Sequence, residues 1–315
     1  MLRFVARRLG LLALTLLVAS FAIYASLSIA PGDPLSVLTG GRTLPPDALA
    51  VLRARYHLNE GLLPQYWHWL SNAVQGDLGD SIALREPVST LIKERAGVTF
   101  ELVLYSSLLI LLLGIGAGIA AGLRRGIVDT SVIAGTTIFA ALPSFVAAIA
   151  LISLFAVNLG WFPALGAGGG IGDRVWHLTL PAIALAVSSL AIVARVTRVA
   201  VREELGREHV QTAVSRGLPA HLVVRRHVLR NAAIPITTVT GITIASLIAL
   251  SAVVERAFSL NGLGSALVSA AESKDFAVVQ GIALILVAAF VVTNAIVDLL
   301  YAALDPRVAL GSRAE

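Results

Sequence analysis

Long uncharged apolar stretches alternate with short polar segments along the whole chain. A helix needs about 20 apolar residues to cross a bilayer core of about 30 Å. Six stretches meet that length, and each is too long for a membrane-barrel strand, which needs only about 10 alternating residues. The pattern therefore predicts an all-α, polytopic membrane protein with six transmembrane helices. These spans are expected at residues 9–30, 102–123, 131–157, 178–199, 232–254 and 276–300.

The third predicted span belongs to an uncharged stretch, 130–172, about twice as long as one crossing requires. We expect its first part, to about Val157, to cross the membrane, and the glycine-rich remainder to form an emerging loop. Pro143 and Pro181 lie inside predicted spans, where a proline can kink a helix. No acidic or basic residue is expected at the centre of any span.

Basic residues near the span ends predict the orientation, because loops rich in arginine and lysine stay on the cytoplasmic side. One side collects the arginines at 3, 7, 8, 124, 125, 307 and 313 and the six between 202 and 230. The long loop on the other side, 31–98, has six basic residues balanced by seven acidic ones. Both termini and the stretch 202–231 are therefore expected in the cytoplasm.

The first apolar run has a second interpretation as a signal peptide, with Arg7 and Arg8 before it and Ser28-Ile-Ala30 as the cleavage site. A signal peptide usually has 7–15 apolar residues, about half the length of this run. That difference favours a retained first span.

The loop 31–98 begins with Pro31-Gly-Asp-Pro34, which we expect to be a rigid exit from the membrane. Its cluster Tyr66-Trp-His-Trp69 is typical of an amphipathic helix at the membrane interface, where aromatic rings prefer to lie. Packing of the same helix against the protein itself is an equally good interpretation.

Composition narrows the class of function. Only 14% of the residues are charged, against about 25% in soluble domains. The net charge of +5 comes from arginines that fall between apolar runs, whereas a nucleic-acid binder groups them on one face. The chain has no cysteine, which excludes disulfides and thiolate metal sites.

Signatures of enzymes and of self-powered carriers are missing. The sequence has no GxxxxGK[ST], HExxH or GxSxG motif. His221 and His227 are six residues apart and the other histidines are scattered, so no helical metal pair is expected. Ion-coupled carriers usually need a charge deep in the membrane or interrupted half-helices, and neither is expected here. We therefore predict no catalytic residue and no metal site.

The second span carries Gly114, Gly118 and Gly122 on one face. This spacing lets two helices approach closely. The helix that approaches belongs either to this chain or to a second subunit, and the sequence leaves both alternatives open.

The polar stretch 202–231 has the pattern of two helices joined by a sharp turn. Residues 203–216 are expected to form a helix of about four turns. Gly217 suits the left-handed position that ends a helix, and Pro219 suits the first turn of the next one. An amphipathic surface loop would account for the charge, but it would need neither this break nor the small Ala213.

Glu208, Ala213 and Gly217 have a spacing that resembles the "EAA" loop of binding-protein-dependent ABC importer permeases. An ordered series of further segments resembles the peptide-importer branch, and within it the first of the two paired permeases. These segments are Pro31-Gly-Asp-Pro34, Gln65-Tyr66, Gly76-Asp-Leu-Gly79, Thr99 with Glu101, Leu142-Pro-Ser-Phe145, Leu180-Pro181, His227-Val-Leu-Arg-Asn-Ala232, Pro235, Val254-Glu-Arg-Ala-Phe258, Asn261-Gly-Leu-Gly264, Asp275-Phe276 and the run from Asp298 to Arg307. The resemblance covers nearly the whole chain.

The resemblance implies a type I ABC importer permease (MetI-like) fold. Its core would be 99–307, after a first span within 1–30 and the loop 31–98, with a tail at 308–315. The implied partners are a homologous second permease, two ATPase subunits, a substrate-binding protein, a peptide substrate and membrane lipid, but no nucleic acid. ATP and magnesium would be bound by the ATPase subunits, and no cofactor by this chain. Nickel, glutathione and haem importers share this permease type and remain alternatives, as does a stand-alone carrier or channel.

In that family the loop forms a coupling helix that docks on the ATPase. By resemblance, this role falls to Glu208, Ala213, Gly217, Leu218 and Pro219. The family commonly has an aromatic residue at position 209 and basic residues at 211 and 214, where this chain has His209, Gln211 and Val214. We expect details of the docking to differ for that reason.

Hydroxyl side chains inside the spans are the expected lining of a path between the two permeases. Uncharged walls can hydrogen-bond a peptide backbone without trapping one particular side-chain charge. The candidates are Ser144, Ser188, Thr237, Thr240 and Ser246.

Overall fold

The computed structural model describes residues 2–29 and 59–304, together with the single positions 45, 47 and 51. These residues are almost all helical, and the one strand-like pairing among them is an isolated bridge between Asp80 and Pro87. The predicted all-α class is confirmed. The predicted rigid exit at 31–34 and the tail at 308–315 lie outside the described residues.

Ten helices follow one another along the described residues. They are α1 (Leu2–Ile29), α2 (Leu62–Val74), α3 (Val88–Leu123), α4 (Ile127–Ala140), α5 (Ser144–Asn158), α6 (Ile171–Leu205), α7 (Glu208–Ser215), α8 (Ala220–Ala257), α9 (Leu263–Glu272) and α10 (Phe276–Leu304). Three of them contain a π-helical turn, at Ile110–Gly114, Ile152–Asn158 and Val223–Val228.

Five of these helices, α1, α3, α6, α8 and α10, are long and apolar enough to cross a membrane. Their apolar windows have a mean hydropathy between 1.9 and 2.5. The pair α4 and α5 passes the same test only when taken together. The chain therefore crosses the membrane six times only if α4 and α5 together form one crossing.

The third predicted span is not one continuous helix. The chain bends by 100° between α4 and α5. Pro143 adopts an extended conformation just before α5 (φ −61°, ψ 144°). A proline also disfavours the helical conformation for the residue before it, which explains why α4 ends ahead of Leu142. Pro181 has no such effect, since α6 continues through it.

Helix α6 lies at the centre of the molecule and packs against α3, α4, α5 and α8. Within the apolar windows, 61% of α6 is buried, compared with 6% of α1 and 17% of α10. Helix α6 therefore joins α3, α4, α5 and α8, while α1 and α10 lie at the periphery.

The glycine face of α3 packs against α6 of the same chain. A methyl group added at Gly118 would lie 2.5 Å from Cβ of Thr197 and 2.6 Å from the carbonyl oxygen of Ala194. At Gly122 the added group would lie 2.7 Å from Cβ of Val201. Of the two alternatives for this stripe, the structure has the contact within the chain.

Helix α2 packs on α1 through the aromatic cluster. The hydroxyls of Tyr66 and Ser20 are 2.8 Å apart, and the Tyr66 ring makes an edge contact with Phe21. Trp67, on the other face, keeps 66% of its surface exposed. The helix is thus held by the protein itself, and its outward face remains open.

Candidate coupling and translocation sites

Helix α7 is a short helix between two long ones, and it is shorter than predicted. The expected helix 203–216 is divided, because α6 continues to Leu205 and α7 begins only at Glu208. Arg207 between them is extended (φ −72°, ψ 145°). Glycine is a poor helix former, so Gly206 favours a break at this point.

One face of α7 is buried against the ends of α6 and α8. Val210 and Ala213 are buried in a cluster with Val201, Val223 and Val228. The helix therefore sits against both neighbouring helices, and the small side chain of Ala213 belongs to that contact.

The turn after α7 explains the spacing between Ala213 and Gly217. Gly217 has φ +76°, as predicted from its place in the sequence. Its N–H donates to the carbonyl of Val214 at 2.9 Å, and the N–H of Leu218 donates to the carbonyl of Ala213 at 3.3 Å. This pair of hydrogen bonds is the Schellman ending of a helix. Pro219 is one residue earlier than expected, at the cap before the next helix instead of in its first turn.

The other face of α7 is open. Val214 is 59% exposed and Leu218 is 40% exposed, so two apolar side chains face outward beside the turn. Glu208 is exposed in the first turn, where a carboxylate is favoured by the helix dipole. Its side chain has no hydrogen bond or ion pair with any other described residue.

His209 connects α7 to both neighbouring helices. Its Nε2 lies 3.1 Å from Nδ2 of Asn231 in α8 and 3.5 Å from a carboxylate oxygen of Glu204 in α6. Here the imidazole makes a polar contact with Asn231 that holds α7 against α8.

The five predicted path residues lie on α5, α6 and α8, which pack against one another. Thr240 is buried, and its hydroxyl has no hydrogen-bond partner among the described residues. Ser246 donates to the carbonyl of Thr243 at 2.7 Å. Ser144, Ser188 and Thr237 are half-buried. No hydrogen bond joins any two of the five within the described chain.

A buried carboxylate fixes the end of the molecule away from α7, and the sequence analysis did not assign it a role. Glu255 at the end of α8 is fully buried and accepts hydrogen bonds from the Thr99 hydroxyl at 2.8 Å and from the Ser265 N–H at 2.9 Å. The Thr99 hydroxyl in turn accepts from the N–H of Leu263 at 2.8 Å. Gly262 leaves room for the carboxylate, since an added Cβ would lie 2.4 Å from its oxygen. Three segments of the motif series thus converge here.

A second buried carboxylate holds the start of α10. Asp275 accepts hydrogen bonds from the Ser81 hydroxyl at 2.6 Å and from the N–H of Ala83 at 3.0 Å. Leu78, of the Gly76-Asp-Leu-Gly79 segment, is buried beside it against α10. The motif series was the only signal in the sequence for either network, because Thr99 and Glu255 are 156 residues apart and Ser81 and Asp275 are 194 residues apart.

Two arginines lie near the end of the predicted fourth span, away from its centre. Arg195 and Arg198 are among the last five residues of that span, 178–199, and α6 continues beyond it to Leu205. Arg198 forms an ion pair with Asp129 of α4, and Arg202 reaches the same carboxylate at 2.7 Å. Arg195 donates instead to the hydroxyl of Thr137 at 2.9 Å.

Most of the chain matches models of a known family of membrane proteins. A model of the family described as the inner membrane component of binding-protein-dependent transport systems matches residues 114–310, and one of the N-terminal part of such membrane components matches residues 1–103. The glutathione transport system permease protein GsiC of Escherichia coli (strain K12) is 34% identical over 313 residues, 98% of this chain and 99% of the relative. The di/tripeptide transport system permease protein DppB of Pseudomonas aeruginosa (strain UCBPP-PA14) is 36% identical over 332 residues, again 98% of this chain and 99% of the relative.

The predicted class is confirmed on two independent grounds. The helices provide the apolar lengths of a multi-pass membrane protein. The matches extend over almost the whole chain and almost the whole of each relative. The chain belongs to the family of inner membrane components of binding-protein-dependent transport systems, in which it is a non-catalytic ABC importer permease of the peptide branch.

Proposed function

We propose that this permease forms half of the translocation path for small peptides and that α7 couples the path to an ATPase subunit. The observation that carries the proposal is the two-sided character of α7. One face is buried between α6 and α8, while Val214 and Leu218 face outward. Exposed apolar side chains on an anchored helix suit a contact with a second protein.

A helix with this anchoring can transmit a movement. The buried face of α7 packs on both neighbouring helices, and the contact of His209 with Asn231 adds a polar link to α8. A displacement of α7 by an ATPase would therefore move the ends of α6 and α8 as rigid bodies. A loosely attached loop would absorb the same displacement.

The proposed assembly has a homologous second permease, two ATPase subunits and a substrate-binding protein. The ATPase subunits bind ATP and magnesium, and this chain binds no cofactor. Both termini and α7 then face the cytoplasm, in agreement with the arginines near the span ends. Ser144, Ser188, Thr237, Thr240 and Ser246 line the path where the two permeases meet.

Small peptides are the proposed substrate class because one relative is named as a di/tripeptide permease and another as a glutathione permease, and glutathione is itself a tripeptide. Nickel and haem importers of the same permease type are the alternatives, and the cognate binding protein distinguishes them by what it binds. A stand-alone carrier would transport in liposomes without ATPase subunits, whereas the proposed permease requires them.

Replacement of Val214 by aspartate tests the coupling role. We expect Val214→Asp to reduce substrate-stimulated ATP hydrolysis by the purified complex about tenfold, because an unpaired charge then enters a desolvated contact. Val214→Ile is the matched control, since it keeps an apolar side chain at the same exposed position. Retention of the ATPase subunits is measured in parallel. Full stimulation and full retention in Val214→Asp would contradict the assignment of α7.

A further inference from the structure

Three arginines of α6 point toward α4, but only two of them are paired with a carboxylate. Arg198 and Arg202 share the carboxylate of Asp129. Arg202 also donates to the carbonyls of Ala121 and Arg124, where α3 ends. The single carboxylate of Asp129 therefore forms ion pairs with two arginines at this end of the helix.

Arg195 has only neutral partners. Its Nη2 donates to the hydroxyl of Thr137 at 2.9 Å, and its Nε lies 3.4 Å from the hydroxyl of Thr136. No carboxylate lies within ion-pair distance of it among the described residues. The side chain is exposed on the surface of the single chain. Its charge is thus held in place without being compensated.

Arg195 lies inside the predicted fourth span, 178–199, four residues before its end. It is seven residues from Arg202, which corresponds to about 10 Å along the helix axis. Its guanidinium does not extend back toward the charged end. The hydroxyl it reaches, on Thr137, is eight residues, or about 12 Å, beyond Asp129 along α4.

The exposed face of α6 connects Arg195 with the proposed path. Ser188, Ile192 and Val199 stand at helical spacings from Arg195, and each is half-buried or exposed. Ser188 is one of the five path residues, two turns farther into the span. The arginine and the path residue therefore share one face of the central helix.

We propose that Arg195 lines the water-filled path on its α7 side and binds the carboxylates of passing substrates. An uncompensated charge inside a span is unfavourable against lipid, and such residues usually face the bundle interior or a water-filled cavity. The inference rests on the proposed function, because it requires that this chain forms a path. A guanidinium is planar and accepts a carboxylate through two parallel hydrogen bonds. Peptides with a free C-terminus present that group.

Cysteine labelling tests the location, since the chain has no cysteine of its own. Ile192→Cys is introduced into the complete importer in nanodiscs. It is then treated with anionic sulfonatoethyl or cationic trimethylammonioethyl methanethiosulfonate, and the label on this chain is measured by mass spectrometry. Each rate is divided by the rate of the same reagent with a free thiol. On that scale we expect the anionic reagent to react faster by roughly fivefold, because a unit charge one helical turn away changes the two rates in opposite directions. Adding Arg195→Gln should remove that preference.

Leu14→Cys on α1 is the control, because this apolar position is exposed on a peripheral span. It should resist both aqueous reagents. If Ile192→Cys is equally inert, Arg195 faces lipid and the proposal is wrong. If Ile192→Cys reacts but its charge preference survives Arg195→Gln, the arginine does not contribute to the path.

The dipeptide Ala-Ala and its C-terminal amide test the ligand. Ala-Ala, but not the amide, should slow labelling of Ile192→Cys by the anionic reagent. Equal protection by both, or protection by neither, would overturn the carboxylate role. ATP-dependent uptake of Ala-Ala by the unmodified complex in liposomes is measured separately. Its absence would refute the proposed substrate class, whereas the labelling results decide the position of Arg195 independently.

Discussion

Glu255 illustrates how single residues organise the end of the molecule away from α7. Its carboxylate is fully buried, and neutral donors on Thr99 and Ser265 satisfy it. The cost of burying a charged group is reduced only when its hydrogen bonds are complete. The three elements that meet here, α3, α8 and α9, are therefore held together by hydrogen bonds. Loss of any of these hydrogen bonds would leave a buried polar group without a partner.

Removal of one hydroxyl tests this network. Thr99→Val keeps the shape of the side chain but leaves a carboxylate oxygen of Glu255 and the N–H of Leu263 without a partner. We expect a loss of roughly 2–4 kcal/mol in stability, seen as a lower Tm of the detergent-solubilised permease.

The control for that change is Thr238→Val. Thr238 is exposed, and its hydroxyl bonds only to the carbonyl of Ile234 in its own helix. Its replacement should alter stability by no more than about 0.5 kcal/mol. Equal melting temperatures for the two variants would show that the buried network is not stabilising.

At the scale of elements, the close approach of α3 and α6 is the most constrained contact. Helices in lipid associate through packing, and small residues allow their backbones to approach. Gly118 is in contact with Thr197 and Ala194, whereas Gly116, two residues earlier, has nothing within 4 Å of an added Cβ. Helix α3 therefore contains one glycine at which an added methyl group would collide with α6 and one at which it would not.

Alanine at these two positions should have different effects. Gly118→Ala forces α3 away from α6, and we expect it to cost about 1–3 kcal/mol and to lower the yield of folded permease. Gly116→Ala should be neutral, because its methyl group has free space. The measurement is the fraction of protein that remains monodisperse after mild heating. Identical behaviour of the two variants would contradict this packing.

For the whole molecule, the helix order places α2 and α7 on opposite sides of the membrane under the proposed topology. Ser71 and Ser215 are exposed on these two helices. In right-side-out vesicles, an impermeant thiol reagent should label Ser71→Cys directly and Ser215→Cys only after the membrane is permeabilised. Labelling of both without permeabilisation would reject six crossings.

The sequence predicted those parts of the fold that depend on local pattern. The helical class and the left-handed Gly217 follow from neighbouring residues. The ion pair of Arg198 with Asp129, 69 residues away, was not predicted. The burial of Glu255 likewise depends on Thr99, 156 residues away. Such compensation is a tertiary property, so local periodicity does not reveal it.

The π-helical turn of α3, Ile110–Gly114, lies between the network at Thr99 and the glycine contact at Gly118. A π turn accommodates one residue more than the α turn it replaces. Loss of one residue at this position would therefore convert it to an ordinary turn and leave both contacts facing their partners. Insertions and deletions are usually excluded from membrane helices, yet here we expect homologous chains to tolerate a one-residue gap.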